Sequence, residues 1–149
     1  VFAGCTALTE VSSFGGLTAI GNNMFAGCSA LTFVEIPQGV ARIGDHAFQQ
    51  CTGLQGVLIS PTVDYIGTSA FNQCRSLKTV QMQNGVSCVI RLFAFYDCPI
   101  TEFYASTGYM QVERPIINSD PSMTKIYVTA ACSAMQIFQS WGYTVTIIG

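Results

Sequence analysis

His46, beside Asp45, is the one histidine of the chain and the first place to look for acid–base or nucleophilic chemistry. An imidazole can move a proton near neutral pH, but catalysis needs a nucleophile held against it and a third group to orient it. Asn23 and Ser69 stand 23 residues before and after His46. That spacing gives His46 the role of a solvated residue on the back of a repeated structure. The eight acidic residues are dispersed and form no evident pair of carboxylates. Asp97 and Asp120 read as turn residues, since no D-x-D-x-D loop accompanies them. Phosphate-cradling G-x-x-x-x-G-K and G-x-G-x-x-G are also missing. The sequence therefore assigns no catalytic, cofactor-binding or metal-binding residue, and calls for no cofactor.

Seven cysteines are the other chemically capable set. Cys5, Cys28, Cys51 and Cys74 recur every 23 residues and Cys98 comes one place late. A structural zinc site wants cysteine pairs two to four apart, and no C-x-x-C occurs. Stacked, in-register side chains point the same way, which suits a disulfide torsion badly even at a strand spacing of ~4.8 Å. The ladder therefore reads as buried, reduced thiols.

The step of 23 runs through the whole chain. Leu8, Leu31, Leu54, Leu77, Ile100 and Met123 form one file. Val11, Val34, Val57, Val80, Phe103 and Ile126 form another, followed by Ser13, Ile36, Ile59, Met82, Ala105 and Val128. Leu17, Val40, Val63, Val86 and Tyr109 keep the step, as do Ile20, Ile43, Ile66, Val89 and Val112. Such a period is the mark of a solenoid. Within each unit L-x-x-V-x-I predicts a short strand, with core side chains alternating in its V-x-I part. Gly16, Gly39, Gly85 and Gly108 predict a turn after it. Phe2, Phe25, Phe48, Phe71 and Phe95 predict an aromatic stack in the outer half of the coil. The pattern loosens after Met82, the Phe and Cys rungs vanish between 106 and 122, and residues 118–122 carry turn chemistry.

About six units are expected over residues 1–128, the first starting mid-unit. Residues 129–149 are expected to form a cap. Met135, Phe138 and Trp141 give one face of a short helix over 129–141, Gly142 stops it, and residues 143–148 alternate as a closing strand. The helix is expected to cover the open edge of the last coil. At the other end Phe2, Leu8 and Val11 look like interior residues on an uncovered edge, so either further repeats precede this segment, making it the C-terminal part of a longer repeat protein, or a partner makes contact through this edge.

Half of the residues are hydrophobic and 9% are charged, which excludes disorder. Net charge is −2 and the six basic residues are scattered, so no basic stripe exists for nucleic acid. No apolar run is long enough to cross a bilayer.

Outward strand positions are left free by the packing. One file holds Ser12, Glu35, Leu58, Gln81, Tyr104 and Tyr127, and a second Glu10, Phe33, Gly56, Thr79, Glu102 and Lys125. Thr9, Thr32, Gln55, Lys78, Thr101 and Thr124 flank them. Phe33, Leu58, Tyr104 and Tyr127 are the kind of side chains that anchor interfaces. The candidate binding face is Glu10, Ser12, Phe33, Glu35, Leu58, Lys78, Gln81, Glu102, Tyr104, Lys125 and Tyr127.

The run F-x-G-C-x-x-L-x-x-V-x-I-P-x-x-V-x-x-I-G-x-x-A-F, nearly whole in 25–48, resembles the BspA-like leucine-rich repeat family, and the tail M-x-x-F-x-x-W resembles its capping end. The resemblance implies an α/β-type, right-handed repeat coil. A short-strand parallel sheet would line its concave side, with irregular turns on the convex side and a small helix-plus-strand cap. It also implies a non-enzymatic protein, secreted or displayed at the cell surface, that binds or adheres to a protein or glycan, including host-derived ones. The other reading of the chain is a structural or self-assembling unit that docks through its uncovered N-terminal coil.

Overall fold

Hydrophobic residues repeated every 23 positions can all be buried only if each repeat closes one turn of a coil upon the last. The computed structural model, which describes residues 1–83, 87–105, 108–117 and 120–149, winds the chain in this way. Gly85 and Val86 of the expected files, and Asn118 of the expected turn, lie outside the described residues.

Two parallel sheets run along the coil. One has six strands: β2 (Phe33–Ile36), β4 (Gly56–Ile59), β6 (Thr79–Met82), β8 (Glu102–Tyr104), β10 (Lys125–Thr129) and β11 (Thr144–Ile148), in that spatial order. The second, unforeseen in the sequence, is made of strands of two or three residues: β1 (Ala19–Ile20), β3 (Arg42–Ile43), β5 (Tyr65–Ile66), β7 (Cys88–Ile90) and β9 (Met110–Val112). Strands β2, β4, β6, β8 and β10 present alternate side chains inward, as period-two packing requires. Leu31, Val34 and Ile36 and their successors Leu54, Val57 and Ile59 meet Ile43 and Ile66 in one core.

The phenylalanine file is a continuous stack. Rings of Phe2, Phe25, Phe48, Phe71 and Phe95 follow one another at 5.4, 5.1, 5.0 and 5.1 Å, tilted by 9° or less. Beside it, each thiol donates to the carbonyl of the preceding coil's phenylalanine. Cys28, Cys51, Cys74 and Cys98 reach the oxygens of Phe2, Phe25, Phe48 and Phe71 at 3.0–3.2 Å. All seven cysteines are free thiols. Burial pushes the Cys28 and Cys74 thiols upward in pKa, and Cys5, at the open end, is exposed rather than buried.

Several expected seats are filled differently. Residues 8–13 form no strand beside β2, because Ser13 cannot fill the isoleucine seat. Phe14 turns in instead, buried edge-on to Phe25 at 6.0 Å. Gly15 and Gly16, both at positive φ, make that turn possible. Leu17 is left 40% exposed. In the fifth unit Ile90, not Val89, pairs with Ile66, and Met110, not Tyr109, is the buried partner of Cys88. An extra residue ahead of β7 moves its seats by one, and the shorter step from Ile90 to Val112 returns β9 to the original register, with Val112 in its expected seat. Met123 is 67% exposed, and Thr124, expected outside, is buried with its hydroxyl donating to Ile100 O at 2.7 Å. Where the Phe rung was expected to vanish, Phe95 N donates to Ile116 O and the adjacent Ile117 is fully buried.

At the C-terminal end the helix α1 is shorter than expected, Met135–Ser140, and begins after a turn. Its Phe138 is buried against Phe103, Trp141 and Tyr143. Gly142, at φ +88°, ends it with its N–H on Gln139 O. The edge of β10 is not covered by the helix: β11 pairs with it along all five residues.

Candidate binding face

Parallel pairing in register fixes which outward side chains are neighbours. Phe33, Gly56, Thr79, Glu102 and Lys125 lie in one row across β2, β4, β6, β8 and β10. Glu35, Leu58, Gln81, Tyr104 and Tyr127 lie in the next row. Nine of the eleven candidate residues thus share one surface or its margin: these two rows, with Lys78 exposed just before β6. Glu10 and Ser12 do not join them. They are exposed, but on the segment that forms no strand, so they have no register with Phe33 and Glu35.

Two aromatic features stand on this surface. Tyr104 and Tyr127 stack at 4.6 Å with 13° between their planes. The Tyr104 hydroxyl donates to Glu102 Oε2 at 3.4 Å. Partial desolvation and then the Glu102 carboxylate push the Tyr104 phenol upward in pKa, so it stays a neutral donor over the physiological range. At the far edge Phe33 is 52% exposed, its ring leaning over the bare backbone of Gly56. A side chain at Gly56 would start 3.3 Å from Phe33 Cδ2, so this glycine makes room for the ring. At ~4.8 Å per strand, three spacings separate Phe33 from Tyr104 and four separate it from Tyr127, about 14 and 19 Å. Glu102 and Lys125 face each other in register, yet among the described residues no ion pair within 4 Å joins them.

The second sheet carries its own outward row, Ala19, Arg42, Tyr65, Val89 and Gln111, with the Arg42 guanidinium 4.1 Å from the Tyr65 ring centre. Sequence reasoning missed it, although the residue before each of Ile20, Ile43 and Ile66 is the signal that would have found it.

His46 sits on the turn side and is half-buried rather than solvated, with Nδ1 enclosed and no hydrogen-bond partner for it among the described residues. Its φ of +56° is shared by Asn23, Ser69 and Phe93, at 55–59°. The backbone thus asks for a left-handed residue here in every coil, and the structure uses His46 as one of a series. Among the described residues no three His, Cys, Asp or Glu side chains gather as a metal site. No helix among them is long and apolar enough to cross a membrane.

A family model described as the BspA type leucine-rich repeat region matches residues 1–126 in six copies. A comparison with curated proteins yields no match.

Proposed function

The chain belongs to the BspA-type leucine-rich repeat family, and on that premise we propose that it is a non-catalytic recognition or adhesion module whose six-stranded sheet binds a protein or a glycan. The family suggests a protein-interaction or adhesion-type role; its solenoids are typically binding scaffolds and its members typically surface-associated. On this reading the chain acts outside the cell or at its surface, residues 1–128 are the recognition solenoid and 129–149 the cap. The partner, a protein or glycan, is host-derived where the protein is displayed to a host.

The observation that carries the reading is the stacked Tyr104–Tyr127 pair on an open sheet face. The repeat's packing asks nothing of these two positions, yet both are aromatic and neighbours. Paired, rigid, amphipathic rings lose little conformational entropy on contact and offer a flat apolar platform with polar rims. Glu102, Lys125, Gln81 and Lys78 supply charge and hydrogen bonds around it.

The test is a Tyr104→Ala/Tyr127→Ala variant, with Phe33→Ala added, probed against immobilised extracellular proteins and a glycan array. Whatever the wild type captures should be lost by more than tenfold, at about 1.4 kcal/mol per decade, with the fold kept. Undiminished binding by a folded variant refutes this face.

A second reading has its own observation. At the N-terminal end Phe2 is 45% exposed, stacked on one side only, above a hollow of about 410 Å³ lined by Leu8, Val11, Phe14 and Phe25. An interior-like coil left open can dock another repeat unit, from a second copy or another domain. Sedimentation that gives a clean monomer at high concentration rules out the homomeric form.

A further inference from the structure

The repeat breaks once more at the junction with the cap. Arg91 N pairs with Ile66 O, and in the next coil Glu113 N pairs with Ile90 O, so Glu113 takes the place of Arg91. Ser69 N pairs with Leu92 O, and Phe93 N with Pro115 O, so Pro115 takes the place of Leu92. Arg91 and Leu92 are adjacent, but one residue lies between Glu113 and Pro115. That residue is Arg114, which has no counterpart upstream and is put outside the ladder.

Its side chain is exposed and lies over Trp141, guanidinium carbon 5.7 Å from the ring centre. Together they border a recess of about 210 Å³ walled also by Tyr96, Pro115, Pro121 and Tyr143. The nearest acid in sequence, Glu113, is already engaged, 2.7 Å from Arg91 and accepting from Leu92 N at 3.1 Å. No described carboxylate lies within ion-pair reach of Arg114. A cation–π contact at this distance leaves the guanidinium's N–H donors unspent, and these match a carboxylate's two oxygens. The recess is smaller than the roughly 300 Å³ at which drug-sized sites begin, so it suits one ring with a short acidic arm.

We propose that this recess is a binding site for a carboxylate borne on a flat apolar body, with Arg114 holding the acid and the aromatic and proline walls holding the body. One unneutralised cation calls for a monoanion, and the apolar walls favour a carboxylate on a ring over a phosphate. The site is separate from the sheet face and does not rest on the function proposed for it. Two sources share the chemistry: a free aromatic acid and the C-terminal carboxylate of a peptide ending in an aromatic residue.

Trp141 is the sole tryptophan, so its emission and its indole N–H resonance report on this recess alone. The intact chain is titrated with phenylacetate, phenylacetamide, acetate, inorganic phosphate, and a short peptide ending in phenylalanine, as free acid and as amide. Phenylacetate, the terminal acid, or both should saturate the signal with a dissociation constant on the order of millimolar, as expected for so small a ligand. Each amide should bind at least about tenfold more weakly, having lost the charge-assisted pair. Acetate, lacking the ring, should be weaker too. Which acid saturates names the source. Arg114→Gln should erase the preference for acid over amide. If that variant does not fold, rising salt applied to the wild type should weaken the acid and spare the amide. Equal response to acid and amide, a preference that survives Arg114→Gln, the same shift with phosphate alone, or no saturable signal at all overturns the proposal.

Discussion

Phe48 is the middle ring of the stack, fully buried, with Phe25 at 5.1 Å on one face and Phe71 at 5.0 Å on the other. Phe48→Ala removes a ring that neither neighbour can replace, because each is held in its own coil by backbone pairing. Phe25 N donates to Ala47 O and Phe71 N to Ala94 O, both at 2.8 Å or less. The cavity is therefore kept, and the cost belongs at about 3–5 kcal/mol. At about 2–4 °C per kcal/mol for a chain of this length, the melting point should fall by about 6–20 °C. Phe2→Ala is the internal control. With one ring partner and 45% exposure it should cost about 1–2 kcal/mol. Both are measured by denaturant unfolding followed by circular dichroism, with unchanged slope as the check on cooperativity. Equal costs at Phe2 and Phe48, or a Phe48→Ala melt within about 2 °C of the wild type, would refute the claim that the coils are locked too firmly to close the gap.

Three further outcomes follow from the same geometry. Gly67→Ala should destabilise by about 1–3 kcal/mol, since the new Cβ would stand 2.5 Å from Asp45 Oδ1 and 2.6 Å from Asp45 N, which is backbone and cannot yield; a neutral melt contradicts this. Thr124→Val should cost about 1–2 kcal/mol by removing the hydroxyl that donates to Ile100 O in a buried setting, read from the same unfolding curves, whereas Met123→Ala should be nearly silent. The Cys88 thiol is pushed by burial, and then by Asp64, from 9.0 up to about 12. Its stabilising effect is therefore full below the unfolded value and is lost as pH rises from about 9 to 12, at about 1.4 kcal/mol per unit. Cys88→Ala should flatten that part of the alkaline stability profile, and an unchanged slope would count against the burial argument.

How much of this was legible beforehand depends on the range over which each feature is decided. The phenylalanine stack and the buried thiols Cys28, Cys51 and Cys74 were readable because every coil repeats the same local demand, and one unit's residues state it for all. So were the rows that bring Leu58 beside Glu35 and Tyr104 beside Tyr127, since a parallel register of 23 follows from the period itself. Glu10 and Ser12 were read as the start of those rows and are not, because their strand fails to form. Ile90 in place of Val89 and Thr124 in place of Met123 look as plausible in sequence as the residues expected. A one-residue slip exchanges an inward for an outward side chain without altering composition.

The sequence by itself determined the coil, its period, its core files and the face left free, since a hydrophobic side chain at every twenty-third position admits one burial scheme. Only the tertiary structure decided where the register slips, that Phe14 fills the first coil and that β11 extends the sheet. It alone placed Arg114 outside the ladder against Trp141. The physical reason is that an inserted or missing residue can be absorbed at many points of a turn. The hydrogen bonds and cavities of the neighbouring coils choose among them.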